Sequence, residues 1–239
     1  MPYYFYGFDW TYIYIVLPCL LLSLWASASV NSTFKKYSKQ LSSRRLTGRD
    51  AAMYVLHSNG VSNVRIERVS GNLTDHFDPK TNVIRLSDAV YDSTSTAAIG
   101  VACHEAGHAV QYAQAYAPIK LRAAIIPLTN IGSHLAMPLI LLGILFGVGG
   151  SYSYTLVYLG IACFSLSLIF QLITLPVEFN ASRRAMTAIE EQGLLTESER
   201  KGARKTLTAA AMTYGAAVAV AAAQLLRLVL LFGGRRRND

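Results

Sequence analysis

Residues 101 to 111 read VACHEAGHAVQ and set two imidazoles and a carboxylate within one short stretch. His104-Glu105-Ala106-Gly107-His108 matches the H-E-x-x-H pattern of helical zinc sites. On an α-helix, residues i and i+4 stand one turn apart on the same face. Two imidazoles so placed can both reach one metal ion at about 2.0–2.1 Å. Residue i+1 lies about 100° round the axis. Glu105 therefore flanks the ion and can hold a metal-bound water without becoming a primary ligand. The competing reading is two ordinary helix histidines with no metal between them. Gly107 costs a helix interior about 1 kcal/mol relative to Ala, which suggests that another backbone passes close by.

A catalytic zinc takes three protein ligands and keeps one position open. The candidates for the third are His57, His76, His134, Glu178 and several Asp residues. His134 lies inside an apolar run and reads as a helix-packing residue. His57 falls on a short surface helix. Glu178 is the best placed, because it follows Pro176 at the end of an apolar run and opens the helical pattern EFNASRRA. An ordinary first-turn acid, favoured by the helix dipole, is the alternative. His76, in Thr74-Asp75-His76, is a candidate catalytic donor to a developing oxyanion, with Asp75 orienting it. A turn-stabilising pair explains the same residues. Arg183 and Arg184 read as headgroup contacts or surface charges more readily than as catalytic groups.

The elements that must position these residues are unevenly polar. The chain has 239 residues, of which 52% are hydrophobic and only 15% charged. A soluble domain carries about 25% charged residues, so the deficit points to membrane segments. Residues 10–28, WTYIYIVLPCLLLSLWASA, are long enough to cross a bilayer and carry aromatics near both ends. The first nine residues contain no Lys or Arg, so this segment reads as an anchor and not as a cleaved signal. Lys35, Lys36, Lys39, Arg44, Arg45 and Arg49 follow it and place that flank in the cytosol.

Residues 47–58 read as a short helix, started by Thr47 or Asp50 and stopped at Gly60. A strand with Val64, Ile66 and Val69 follows. After the turn Asp78-Pro79-Lys80 comes a second strand over residues 82–86. If that second strand is a sheet edge, an extended substrate can pair with it. Ser93 or Ser95 then caps a helix from about Thr96 to Gln114.

The runs 122–146 and 154–175 read as a transmembrane hairpin joined by GVGGSYS. Residues 206–232 read as a further Ala-rich membrane helix, in which Arg227 must snorkel or pair. The fold class expected is an α-helical membrane protein with a small α+β zincin-like cytosolic catalytic unit. Its parts are an anchor over 1–30, a metallopeptidase part over 31–121, the hairpin over 122–176, a cytosolic helix over 177–205, and a C-terminal membrane helix with its basic tail over 206–239.

The formal charge of +8 is spread over short clusters beside apolar spans. No stripe of interleaved basic and aromatic residues suggests a nucleic-acid face, so the expected partners are the lipid bilayer and protein or peptide substrates, with a membrane-protein regulator or a second copy as further candidates. Cys19, Cys103 and Cys163 have no disulfide spacing and read as reduced, structural residues.

The segments GNLTDHFDPKTNVIRLS, HEAGHAVQ and VEFNASRRA resemble the YugP-like family of bacterial zinc-dependent membrane peptidases. The order of parts is also similar to that of HtpX-type membrane proteases, which are gluzincins. That resemblance implies His104, His108 and Glu178 as zinc ligands and Glu105 as the catalytic acid-base. One position departs from the HtpX-type pattern. An Asp is expected four residues after the ligand Glu, and here Ser182 stands there. The carboxylate that would orient a ligand histidine is then missing or supplied elsewhere, with Asn180 and Asp75 as candidates.

The function expected is an integral membrane zinc metalloendopeptidase. It would cleave membrane proteins or their cytosolic flanks by zinc-activated water, with Glu105 as general base. The alternative is a non-catalytic membrane assembly or adaptor protein with a structural zinc site.

Overall fold

The computed structural model describes residues 4–5, 8–146 and 151–233. The link at 147–150 and the run Arg235–Arg237 lie outside the described residues. Two strands, β1 (Tyr4–Phe5) and β2 (Phe8–Asp9), pair antiparallel. A π-helical turn, Tyr12–Val16, leads into α1 (Leu17–Tyr37). Then come α2 (Gly48–Ser58), β3 (Arg65–Val69), β4 (His76–Asp78), β5 (Val83–Ser87) and α3 (Thr96–Ala113). The chain ends with three long helices, α4 (Ala117–Leu145), α5 (Ser151–Glu191) and α6 (Glu197–Phe232). Among the described residues, four helices are long and apolar enough to cross a membrane: Tyr12–Tyr37, Ala117–Leu145, Tyr154–Glu191 and Glu197–Phe232.

The chain forms two compact units. One comprises Met1–Trp25, Leu121–Leu175 and Thr213–Asp239. Its helices approach closely through small residues. A Cβ on Gly132 of α4 would lie 2.9 Å from the Cys163 carbonyl oxygen of α5, and one on Gly160 of α5 would lie 2.8 Å from that of Ala136 of α4. Arg227, the charge buried in an apolar helix by the sequence reading, is paired: its Nε donates to Asp9 Oδ2 at 2.9 Å, and a second guanidinium nitrogen bonds the same oxygen.

The other unit comprises Ala26–Lys120 and Pro176–Met212. Its sheet has the order β3-β5-β4, with β3 parallel and β4 antiparallel to β5. β5 is thus the central strand, and Val83, Ile84 and Leu86 are fully buried. The expectation that residues 82–86 could form a sheet edge is corrected. The edge beside them is β4, three residues long and hidden from a periodicity reading by its brevity. Asp78 closes the intervening turn by accepting hydrogen bonds from Lys80 N and Thr81 Oγ1. These bonds hold its carboxyl down at about 2.

Local caps explain where the helices begin. Thr47 and Asp50 act together as a reciprocal capping box on α2, and Gly60 takes φ +69° two residues past its end. Ser95, whose hydroxyl accepts from Ala98 N, caps α3. α3 lies at the centre of this unit, with Ala97, Ala98, Ile99, Ala102, Ala106 and Val110 buried. α5 does not restart at Pro176. It runs unbroken through that residue to Glu191, although proline removes one helical hydrogen bond. Val177, Ala181 and Ala185 are wholly buried on the following turns, and such packing outweighs local propensity.

Candidate metal centre

His104 and His108 lie in the middle of α3 and project from one face. Their rings stand edge to face, with centroids 4.7 Å apart. Glu178 comes from α5. Because that helix is continuous through Pro176, Glu178 is not a first-turn acid. It is nearly fully buried, and one carboxylate oxygen, Oε2, lies 3.3 Å from His104 Nε2 and 3.5 Å from His108 Nε2. The ligand atoms of all three residues fall within 4.8 Å of one another. Zinc bonds of 2.0–2.2 Å in tetrahedral geometry put neighbouring ligand atoms about 3.3–3.6 Å apart. The two observed separations meet that requirement, and the donors are two imidazoles and a carboxylate, a set that suits zinc.

Gly107 explains how the two helices come this close. A Cβ at that position would lie 2.8 Å from the Ala181 carbonyl oxygen of α5. At the other end of α3, a Cβ on Gly100 would lie 3.2 Å from Ala203 Cα of α6.

Each ligand imidazole has its outer nitrogen engaged. His104 Nδ1 is 3.0 Å from Ser182 Oγ. His108 Nδ1 is 3.0 Å from Gln111 Oε1. Ser182 thus occupies the expected Asp position and hydrogen-bonds His104, with a hydroxyl in place of a carboxylate. Asn180 and Asp75, the substitutes considered from sequence, lie elsewhere. Asp75 accepts from Ser87 N at 2.7 Å and from Ser87 Oγ at 2.9 Å. Burial raises its pKa, and the neighbouring Glu105 charge adds to that effect. Asn180 stands one bond further out, receiving Gln111 Nε2 at 2.9 Å and Arg184 Nε at 2.7 Å.

Gln111 was missed by the sequence reading. It is completely buried, and its Nε2 also donates to the Val177 carbonyl at 2.8 Å. One amide therefore ties His108 to the residue just before Glu178. Its place on the HEAGHAVQ helix, three residues after His108, was the available signal.

Glu105 is buried, and among the described residues its carboxylate makes no hydrogen bond. Burial opposes protonation of His108, but the hydrogen bond to Glu178 and the charges of Glu105 and Glu178 outweigh it and raise its pKa. The same two carboxylates make the site attractive to a divalent cation.

The other sequence candidates make contacts of their own. His76 is exposed, its Nδ1 2.8 Å from the Thr74 carbonyl oxygen, and Asp75 is not its partner. His134 bonds the Asn130 carbonyl on its own helix. His57 ends α2 in the exposed last turn. Arg184 reaches Gln114 Oε1 as well as Asn180. Cys103 is a free, buried thiol whose pKa is raised by burial, which suits an inert core residue.

The family described as "Putative neutral zinc metallopeptidase" matches residues 12–233 of the chain. A curated relative, "Putative membrane protease YugP" of Bacillus subtilis (strain 168), is 46% identical over 228 residues, covering 95% of this chain and 99% of that protein. No solved structure matches.

Proposed function

The chain belongs to this neutral zinc metallopeptidase family, and from that membership we propose that it is an integral membrane endopeptidase. Its zinc is held by His104, His108 and Glu178, and Glu105 is the general base. The observation that carries the reading is the convergence of both Nε2 atoms on one Glu178 oxygen at 3.3 and 3.5 Å, with the unbonded carboxylate of Glu105 one residue along α3.

Zinc, when bound, supplies a Lewis acid that activates water and polarises the scissile carbonyl. The chain's own groups do the rest. Ser182 and Gln111 fix the imidazole rings through their Nδ1 atoms, which holds both Nε2 atoms toward the ion. Glu105 accepts a proton from the attacking water at its carboxylate and returns it to the departing amine nitrogen. The buried walls around α3 exclude bulk water and strengthen these charges.

β4 supports a way of presenting substrate. It pairs with β5 on one side only, and it packs beside α3, where Phe77 meets Tyr112 edge-on with centroids 5.6 Å apart. An extended peptide added to its outer edge would expose a peptide bond to the metal helix. A helical segment keeps its peptide groups bonded internally. The substrates are therefore extended flanks of membrane proteins. His76, at the start of β4, has its Nδ1 beside the Thr74 carbonyl, which leaves its Nε2 to serve as the second donor to the developing oxyanion.

The unit holding the metal residues also carries Lys35, Lys36, Lys39, Arg44, Arg45 and Arg49, which supports a cytosolic location. The test is elemental analysis of the purified protein together with proteolysis of a panel of membrane proteins by wild type and Glu105→Gln. Stoichiometric zinc with cleavage only by wild type upholds the proposal. Equal cleavage by the variant removes Glu105 from the mechanism. A protein without zinc ends the hydrolase reading.

A further inference from the structure

A second site lies along α5 beside the metal centre. A crevice of about 560 Å³ is lined by α5 residues around Phe179, Asn180 and Arg183, by α6 residues around Arg204 and Leu207, and by Tyr116. None of the three metal ligands borders it, although Ser182, the partner of His104, does, and no Asp or Glu is among its lining residues. Among the described residues, neither the Arg183 nor the Arg204 guanidinium makes an ion pair or side-chain hydrogen bond. Arg184, their neighbour, differs in being tied to Asn180 and Gln114.

The position of these residues in the sequence is informative. Arg204 stands just before the apolar run 206–232, Tyr116 just before α4, and Pro176 just after the apolar run 154–175. Three transitions between polar and apolar sequence therefore meet at one crevice. Arginine forks recognise phosphate through two parallel N–H···O bonds. Tyr116 is an interfacial type of residue, and the apolar wall of Phe179 and Leu207 is suited to glycerol and the first methylenes of an acyl chain.

We propose that this crevice binds the phosphate of an anionic phospholipid, with Arg183 and Arg204 as its paired cations. The commitment is to a lipid and not to a soluble phosphate, because five of the eleven lining residues, Pro176, Phe179, Met186, Leu207 and Ala211, are apolar and the crevice sits where the apolar runs 154–175 and 206–232 end and begin. The proposal requires only that these helices enter a bilayer and is independent of peptide hydrolysis.

The test uses the full chain, purified in detergent and stripped of lipid. It is titrated with dioleoylphosphatidylglycerol, with dioleoylphosphatidylcholine, and with inorganic phosphate as competitor, and retained lipid is read by native mass spectrometry. The wild type should prefer the anionic lipid by at least about tenfold, and millimolar phosphate should not displace it. Arg183→Gln with Arg204→Gln should abolish the preference while zinc content and melting temperature without lipid stay unchanged. A second variant, Ala211→Trp, fills the apolar side from a partly exposed position and should weaken retention with both arginines present. Lys35→Gln with Lys36→Gln removes the same charge elsewhere and should leave the preference intact. Equal retention of the two lipids, an unaltered preference in the arginine variant, an equal loss in the lysine variant, or full displacement by phosphate would each overturn the proposal.

Discussion

His104 points one ring nitrogen at Ser182 and the other at Glu178. Nδ1 lies 3.0 Å from Ser182 Oγ, and Nε2 lies 3.3 Å from Glu178 Oε2. Both partners come from α5, four residues apart on one face. A single helical turn therefore supplies both partners of one imidazole, a carboxylate of the candidate metal cluster and the hydroxyl that holds the ring.

Replacing Ser182 should show in metal affinity before anything else. Ser182→Ala leaves the His104 Nδ1 without its acceptor and should weaken zinc binding about 10–100-fold. Ser182→Asp restores a stronger acceptor and should bind zinc at least as tightly as wild type. Competition with a chromogenic chelator measures both. Unchanged affinity in the alanine variant would show that the hydroxyl does not orient the ring.

Gln111 makes a different prediction, because it serves two helices. Gln111→Leu removes the acceptor for His108 Nδ1 and the donor to Val177, so zinc affinity and melting temperature should both fall. Gln111→Glu keeps an acceptor for the imidazole, but it sets a carboxylate oxygen against the Val177 carbonyl and Asn180 Oδ1. That variant should retain zinc while melting at a lower temperature. Parallel zinc titration and thermal unfolding in detergent separate the two effects.

Glu105→Gln removes a proton acceptor and little else. Zinc stoichiometry and melting temperature should match wild type, and peptide hydrolysis should fall at least about 10²–10⁴-fold. A matching fall in zinc content would instead assign Glu105 to metal retention.

How much of this was legible beforehand follows from where the signals lie. Helical spacing is local, so His104, Glu105 and His108 could be read directly, and Gly107 announced a close neighbour without naming it. The caps at Thr47 and Ser95 and the apolar runs were equally visible. Contacts made across helices were less so. Glu178 was one candidate among several until the resemblance was applied, and Gln111 carries no local mark of its double tie. Ser182 was read as a gap because a motif records residue types, whereas the ring needs only an acceptor at the right place. Pro176 was taken as a boundary from its own chemistry, but burial of Val177, Ala181 and Ala185 keeps the helix whole. β4 was too short for alternation to declare itself, and this is why the neighbouring strand over 82–86 was considered as an edge instead.

The pairing of Arg227 with Asp9 should behave as a coupled charge pair. Asp9→Ala leaves a guanidinium on an apolar helix without its acid and should cost about 1–3 kcal/mol, measured by thermal unfolding in detergent. Arg227→Leu in the same chain removes the stranded charge and should recover most of that loss. If the double variant is no more stable than Asp9→Ala, the pair is not coupled.

Gly107→Ala sets two effects against each other. Alanine stabilises a helix interior by about 1 kcal/mol relative to glycine, so on propensity alone the variant should gain stability. The added methyl, however, would lie 2.8 Å from the Ala181 carbonyl oxygen, with Ala181 Cα and C at 3.4 Å. These are backbone atoms of a packed helix and cannot rotate aside, so α3 and α5 must separate. Overpacking of this kind costs about 1–3 kcal/mol, which equals or exceeds the gain. The metal site is more sensitive than the fold, because its ligands sit on the two helices being pushed apart and a tetrahedral ion tolerates little change in their separation. Zinc affinity should therefore fall more steeply than the melting temperature of the metal-free protein. A Gly107→Ala protein that binds zinc as wild type does would show that the two helices can shift without moving the ligands, and would remove the close approach at Ala181 as the reason for this glycine.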